Sequence, residues 1–182
     1  FASSARHDRI VELLGELDSA TTSDMMSIHA DVRSLLAGPL IAVVLDNATE
    51  CTNPRSAALL QQLAFWDHEV TVDAVAASSY AVLRRRWAES VGERLGISQA
   101  ELGAPGWPRA VDASRMLFDA ATTMLVDGTW SAVPGLADQH SFRSAISACV
   151  DETAVELEQR LGADISTWTW GRIHRMASPH PL

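Results

Sequence analysis

The side chains with the most chemistry to offer lie at the C-terminal end, in Trp168-Thr169-Trp170-Gly171-Arg172-Ile173-His174 and then in Ser178-Pro179-His180-Pro181-Leu182. The last 15 residues hold two of the six tryptophans and two of the six histidines. Tryptophan brings a large apolar body and an indole N–H that wants an acceptor when buried. Histidine moves protons near neutral pH or ligates metals. His174 and His180 are six positions apart, and a metal would want a third ligand that nothing nearby supplies. Two readings stand for this pair: hydrogen bonds that hold structure, or, together with Trp170, side chains lining a substrate cleft. No metal and no cofactor is expected. Pro179 and Pro181 fix their own φ and disfavour helix in the residue before them. The segment therefore reads as a short helical turn followed by an extended exit. It also reads as too short and irregular to bury Trp168, Trp170, Ile173, Met176 and Leu182 by itself.

The other reactive side chains read as structural. Asp151, Glu152, Glu156 and Glu158 form a solvated helix face, with Arg160 at i+4 from Glu156, rather than an acid–base pair. Arg84, Arg85 and Arg86 cannot share one face of a helix. At least one must lay its stem along apolar surface or meet a carboxylate. Cys51 and Cys149 fit no zinc spacing; they either pair in an oxidising compartment or are two separate core thiols. His7, His68 and His140 sit in polar or terminal surroundings and read as solvated. His29, among apolar positions, reads as a core or interface histidine. Neither a Gly-rich phosphate loop nor a basic–aromatic stripe is present. A formal net charge of −9, with all 14 basic residues arginine, argues against nucleic acid and anionic membrane as partners. The longest apolar run, Gly38 to Leu45, is far short of the roughly 20 residues of a membrane span.

Helices have to carry these residues. With 182 residues, 47% of them hydrophobic, the chain can bury a core as one domain, residues 1–182. Ile10, Leu13, Leu14 and Leu17 make one stripe on a helix from Ala5 to Leu17. Thr22 or Ser23 caps a second helix whose apolar spacing, from Met25 to Val44, runs through Gly38-Pro39, as one kinked helix or two abutting ones. Asn53-Pro54 starts a third, to about Phe65. Thr71 or Asp73 caps the longest, with Val72, Ala76, Tyr80, Leu83, Trp87 and Val91 inward and a stop at Gly96. Ser98 and Glu101 form a capping box, but Gly103, Pro105, Gly106 and Pro108 break the helix it would start. Further helices run from about Arg109 to Val126 and from Ser141 to Leu161, with Trp130 anchoring an irregular stretch between them. No strand-period segment appears. The fold class is all-α, about six mostly antiparallel helices.

Several of these stretches together resemble the penicillin acylase family, over nearly the whole chain and to one helical part of the family's β subunit. They are Arg9-Ile10-Val11-Glu12-Leu13-Leu14; Met25 through Ile28 to Asp31; Leu63 followed by Trp66-Asp67; and Leu161-Gly162 before Trp168-x-Trp170-Gly171. His29 stands where the family usually has Gln. His68 stands where the corner after Trp-Asp usually has Gly, a departure that matters if that corner needs positive φ.

The resemblance implies amide hydrolysis by an N-terminal nucleophile. A residue freed by autocleavage attacks, and its own α-amine takes the proton. None of that machinery has a match here. The chain begins with Phe1, no Ser directly precedes an Asn, and Asn47 and Asn53 are accounted for by helix ends. The expectation is a helical region that shapes the cleft of a larger, extracytoplasmic acylase, inactive alone, with both ends cut from a longer chain. Its partners would be the catalytic sandwich and small subunit, the parent's substrate a small acyl amide, and a homodimer through the Trp-rich end a consequence of excision. The rival expectation is a free-standing all-α interaction module with no enzyme parent.

Overall fold

The structure, a computed structural model, describes residues 4–97 and 110–175, with residues 110–115 as backbone only. Phe1, the expected capping box at Ser98–Glu101, the Gly/Pro-rich break after it, Arg109, Met176, His180 and Leu182 lie outside the described residues. Among those described, the chain is all-α. The helices are α1 (Ala5–Gly15), α2 (Thr22–Ala30), α3 (Ala37–Asn47), α4 (Ser56–Ala64), α5 (Val75–Arg94), α6 (Ala110–Val126), α7 (Gln139–Leu161) and the short α8 (Trp170–Ile173), with single 3-10 turns at Trp130–Ala132 and Ile165–Thr167. The only strand-like pairing among them is an isolated antiparallel bridge between Arg33 and Glu69.

Helix α5 runs through the middle, packing on α7, α6, α4 and α8. Small residues let its neighbours come close. Ala76, Ala77, Ser78 and Ser79 are buried on its first turns, and a Cβ at Gly92 would lie 2.9 Å from Leu117 Cδ2. Tyr80, Leu83, Trp87 and Val91 form its inward stripe as expected, but Val72 lies before the helix and is 68% exposed. Helix α7 faces it with Phe142, Ile146, Cys149, Val150 and Leu157, all buried, and at 23 residues is longer than α5. Trp130 stacks on Phe142 at 3.9 Å, which is how it pins the loop ahead of α7.

The expected continuous second helix is two helices. Helix α2 stops at Ala30, and Pro39 falls in the first turn of α3, where its missing N–H costs nothing. The cap of α2 is Thr21, one position earlier than expected. Its hydroxyl accepts from Asp24 N–H at 3.2 Å while the Asp24 carboxylate accepts from Thr21 N–H at 2.8 Å. Neither Thr71 nor Asp73 caps α5; its N-cap is Ala74, at the end of a turn closed by Ala74 N–H to Thr71 carbonyl at 3.1 Å. The far end behaves as read, with Gly96 at φ 73°. Helix α1 buries no residue.

Candidate functional site

The C-terminal motif is built around one buried ring. Trp168 is fully buried in the core, and its indole N–H donates to the Gly162 carbonyl at 2.8 Å. Gly162 takes φ 96° to end α7, and the 3-10 turn at Ile165–Thr167 then carries the chain back onto α5. This corrects, for Trp168, the expectation of an exposed Trp-rich end: the Gly162 turn folds that ring into the chain's own bundle, while Trp170 is only half-buried. Next in line, Trp170 N–H donates to Ala74 carbonyl at 3.0 Å and Gly171 N–H to Val72 carbonyl at 2.8 Å. A Cβ at Gly171 would lie 2.7 Å from Val72 Cγ1 and 3.2 Å from its carbonyl oxygen. Only glycine lets the two backbones approach so closely. The half-buried Trp170 ring stacks on His174, centroids 4.6 Å apart and planes within 9°. Trp170 and His174 are thus brought together; His174 is exposed, and its described ring contact is that stack rather than a hydrogen bond.

The backbone that receives Trp170 and Gly171 is the corner between α4 and α5. The Trp66 indole N–H donates to Glu69 carbonyl at 3.0 Å, and the Asp67 carboxylate accepts from Glu69 N–H at 3.0 Å. Between them His68 takes φ 69°, the only non-glycine residue with positive φ among those described. The corner therefore does need the left-handed conformation, and this chain meets the need with histidine. His68 is half-buried rather than solvated. Its ring lies edge-on to Trp66 at 5.6 Å and over Gly38, where a Cβ would come 3.1 Å from Cε1. Ser34 N–H to His68 carbonyl at 2.9 Å and Val70 N–H to Val32 carbonyl at 3.0 Å tie the corner to the segment before α3. The corner borders a cleft of about 320 Å³ reaching from Phe65 to Ala74.

Ion pairs hold the remaining motif residues. Arg9 donates to both carboxylate oxygens of Asp31, at 3.2 and 3.3 Å from Nε and 2.9 Å from Nη2, and Arg6 reaches Ile28 carbonyl at 3.0 Å. Arg9 holds the Asp31 carboxyl below its ordinary range, against some loss of hydration. His29, expected in a core or interface, is exposed, because Ile28 is the only buried residue of α2.

The carboxylates of α7 are a solvated face only in part: Glu152 is exposed and Arg160 meets Glu156 at i+4 as expected, but Asp151 and Glu156 are drawn into contacts with other elements. Asp151 accepts from Thr52 N–H and hydroxyl at 2.8 Å each, Asn53 N–H at 3.2 Å and Ser56 Oγ at 2.6 Å. Partial burial opposes its charge, but the Ser56, Thr52 and Asn53 hydrogen bonds win and the carboxyl sits below its ordinary range. Glu156, with a 14% exposed side chain, pairs with Arg85, Arg86 and Arg160. There too burial opposes the charge and the arginines overcome it. Arg84 lies 3.9 Å over the Phe118 ring and bonds Asp119 and Thr122. The three consecutive arginines thus do find carboxylates.

This arrangement positions helices more readily than it reacts. Ser56 donates to Asp151, but Ser56 is fully buried and a carboxyl held low is a weak base. Both cysteines are free. Burial, then the Asp151 charge, pushes the Cys51 thiol up, and burial pushes Cys149 up to about 12, so neither supplies a thiolate at neutral pH. His7 and His140 are exposed as read, His140 Nδ1 lying 3.2 Å from Glu50. Among the described residues no three His, Cys, Asp or Glu side chains are grouped to hold a metal, and no helix is long and apolar enough to cross a membrane.

Comparison with known proteins agrees with these motifs. The family model of penicillin amidase matches residues 1–182. The acyl-homoserine lactone acylase QuiP of Pseudomonas aeruginosa is 25% identical over 185 residues, an alignment that takes in 93% of this chain. It takes in 21% of that relative, so the chain spans about a fifth of the length of the curated relative it matches. With the family model matched along its whole length, the chain belongs to the penicillin amidase family.

Proposed function

We propose that residues 1–182 are the helical region of a penicillin-acylase-like amidohydrolase, one that removes acyl groups from linear amides with an N-terminal nucleophile. In this reading the chain shapes one side of the substrate cleft and braces the catalytic sandwich and small subunit. It contributes no catalytic residue and is inactive alone. Trp170 and His174, with His180, are the candidates to face the cleft. The parent works outside the cytoplasm, on small acyl amides such as acyl-homoserine lactones or β-lactams. The observation that carries this is the family match along the whole chain; the structural contacts of Arg9 with Asp31, of Trp66 and of Trp168 support it.

The test sets the complete reading frame that encodes this chain beside the 182 residues alone, with a chromogenic acyl anilide and an acyl-homoserine lactone as substrates. The whole protein should hydrolyse the amide and the 182 residues should not. Absence of a Ser-, Cys- or Thr-initiated chain from the reading frame would favour the interaction-module reading instead. Turnover by the 182 residues, abolished by one substitution within them, would end the claim that they carry no catalytic group.

A further inference from the structure

Helix α1 is attached to the chain by charge more than by burial. It buries no residue, and the closely packed helix pairs of the bundle include neither α1 nor α2. Of the stripe expected to face inward, Ile10, Leu13 and Leu17 are only half-buried and Leu14 is 42% exposed. A crevice of about 290 Å³ runs between α1 and α2, with Leu13, Leu17 and Ile28 in its lining, so the apolar packing of the two helices is incomplete. Two arginines in the first half of α1 close the gap. Arg6 donates to the Ile28 carbonyl at 3.0 Å and to the Asp31 carbonyl at 3.3 Å, at a helix end whose last acceptors have no partner within the helix. Arg9 forks onto the Asp31 carboxylate, 2.9 Å from Nη2, with side chains only 13% and 14% exposed. Asp31 lies on the fixed side of this contact. Val32 carbonyl, one residue on, accepts from Val70 N–H, and Ser34 N–H donates to His68 carbonyl. On the other side, α1 has 11 residues, too few for a helix to persist alone in water.

We propose that α1 is a hinged strap, locked onto the end of α2 by Arg6 and Arg9 and opening at residues 16–21 while the bundle stays folded. The lock is the shielded Arg9–Asp31 pair. Losing either partner strands the other charge away from water, so this contact holds or fails as a unit, whereas half-buried leucines give way gradually. Opening returns the Ile28 and Asp31 carbonyls to water, uncovers Leu13, Leu17 and Ile28, and lets α1 melt. The strap works in the same way whether the chain belongs to a larger acylase or stands alone as an interaction module.

Hydrogen exchange read by mass spectrometry on the complete polypeptide tests the strap. Amides of α1 should exchange about a hundredfold or more faster than those of α5 and α7, through local opening. Arg9→Met and Asp31→Asn should each speed α1 by about tenfold or more and leave α5 and α7 unchanged. Arg9→Lys, which keeps the charge and loses the fork, should fall between. Leu13→Ala should speed α1 less than Asp31→Asn does. Exchange of α1 as slow as that of α5 in the unaltered protein overturns the strap, and this measurement stands even where a variant fails to fold. Variants that leave α1 unchanged overturn the lock. Variants that speed α1, α5 and α7 alike make α1 part of one cooperative unit and overturn the hinge. A larger effect from Leu13→Ala than from Asp31→Asn makes the apolar stripe the attachment and overturns the inference.

Discussion

Replacing Trp168 tests how the C-terminal motif works. If the ring is part of the core, Trp168→Ala removes one of the two largest fully buried side chains among the described residues and leaves the Gly162 carbonyl without its donor. Truncating a buried tryptophan costs roughly 3–5 kcal/mol. For a chain of this size each kcal/mol lowers Tm by roughly 2–4 °C, so a fall of roughly 6–20 °C is expected. Trp168→Phe keeps most of the apolar bulk and loses the 2.8 Å indole bond, and should cost roughly 1–2 kcal/mol. Trp170→Ala, at a half-buried ring whose backbone bond survives, should cost less than Trp168→Ala. Urea unfolding followed by circular dichroism, with the slope compared among variants, gives all three values. A cost for Trp168→Ala within the roughly 0.5 kcal/mol of an ordinary surface change would refute the buried placement. It would restore the expectation of an exposed Trp-rich end, which sedimentation would then show as self-association.

The same contacts lead to three further expected outcomes. Gly171→Ala should destabilise by roughly 1–3 kcal/mol in urea unfolding, because its Cβ meets Val72, and Val72→Ala in the same chain should return part of the loss. His68→Ala should be less stable than His68→Gly by roughly 1 kcal/mol, since both give up the ring's packing on Gly38 and Trp66 but only alanine keeps the cost of positive φ. Asp31, Asp151 and Glu156 have carboxyls held below their ordinary range in the folded chain, so their contribution is complete above the unfolded values and is lost as pH falls through the folded ones. Stability should therefore fall below about pH 4, more shallowly in Asp151→Asn, as read by Tm across a pH series; an unchanged profile in that variant would count against Asp151 as a capping acid.

The helices and most of their inward faces are legible in the order of residues. Burial acts on a whole face, so apolar residues recur at helical spacing wherever the neighbour sits, and Tyr80, Leu83, Trp87 and Val91 can be named without knowing what covers them. Gly96 and Gly162 are legible as stops for a related reason, because the demand for positive φ is local. Which element answers which is settled only in three dimensions. Asp151 and Glu156 read as a solvated face because a carboxylate on a helix carries no mark of its partner. Residues 52–56 and Arg85 and Arg86 reach them across tens of positions of sequence. His68 reads as solvated because nothing local says that Gly38 leaves room for its ring. Trp168 and Trp170, one residue apart, read alike; one is core and the other half-buried over His174, because the turn at Gly162 sets which ring enters the bundle and which stays near its surface. A turn's conformation is local, but the surface it aims a side chain at is not.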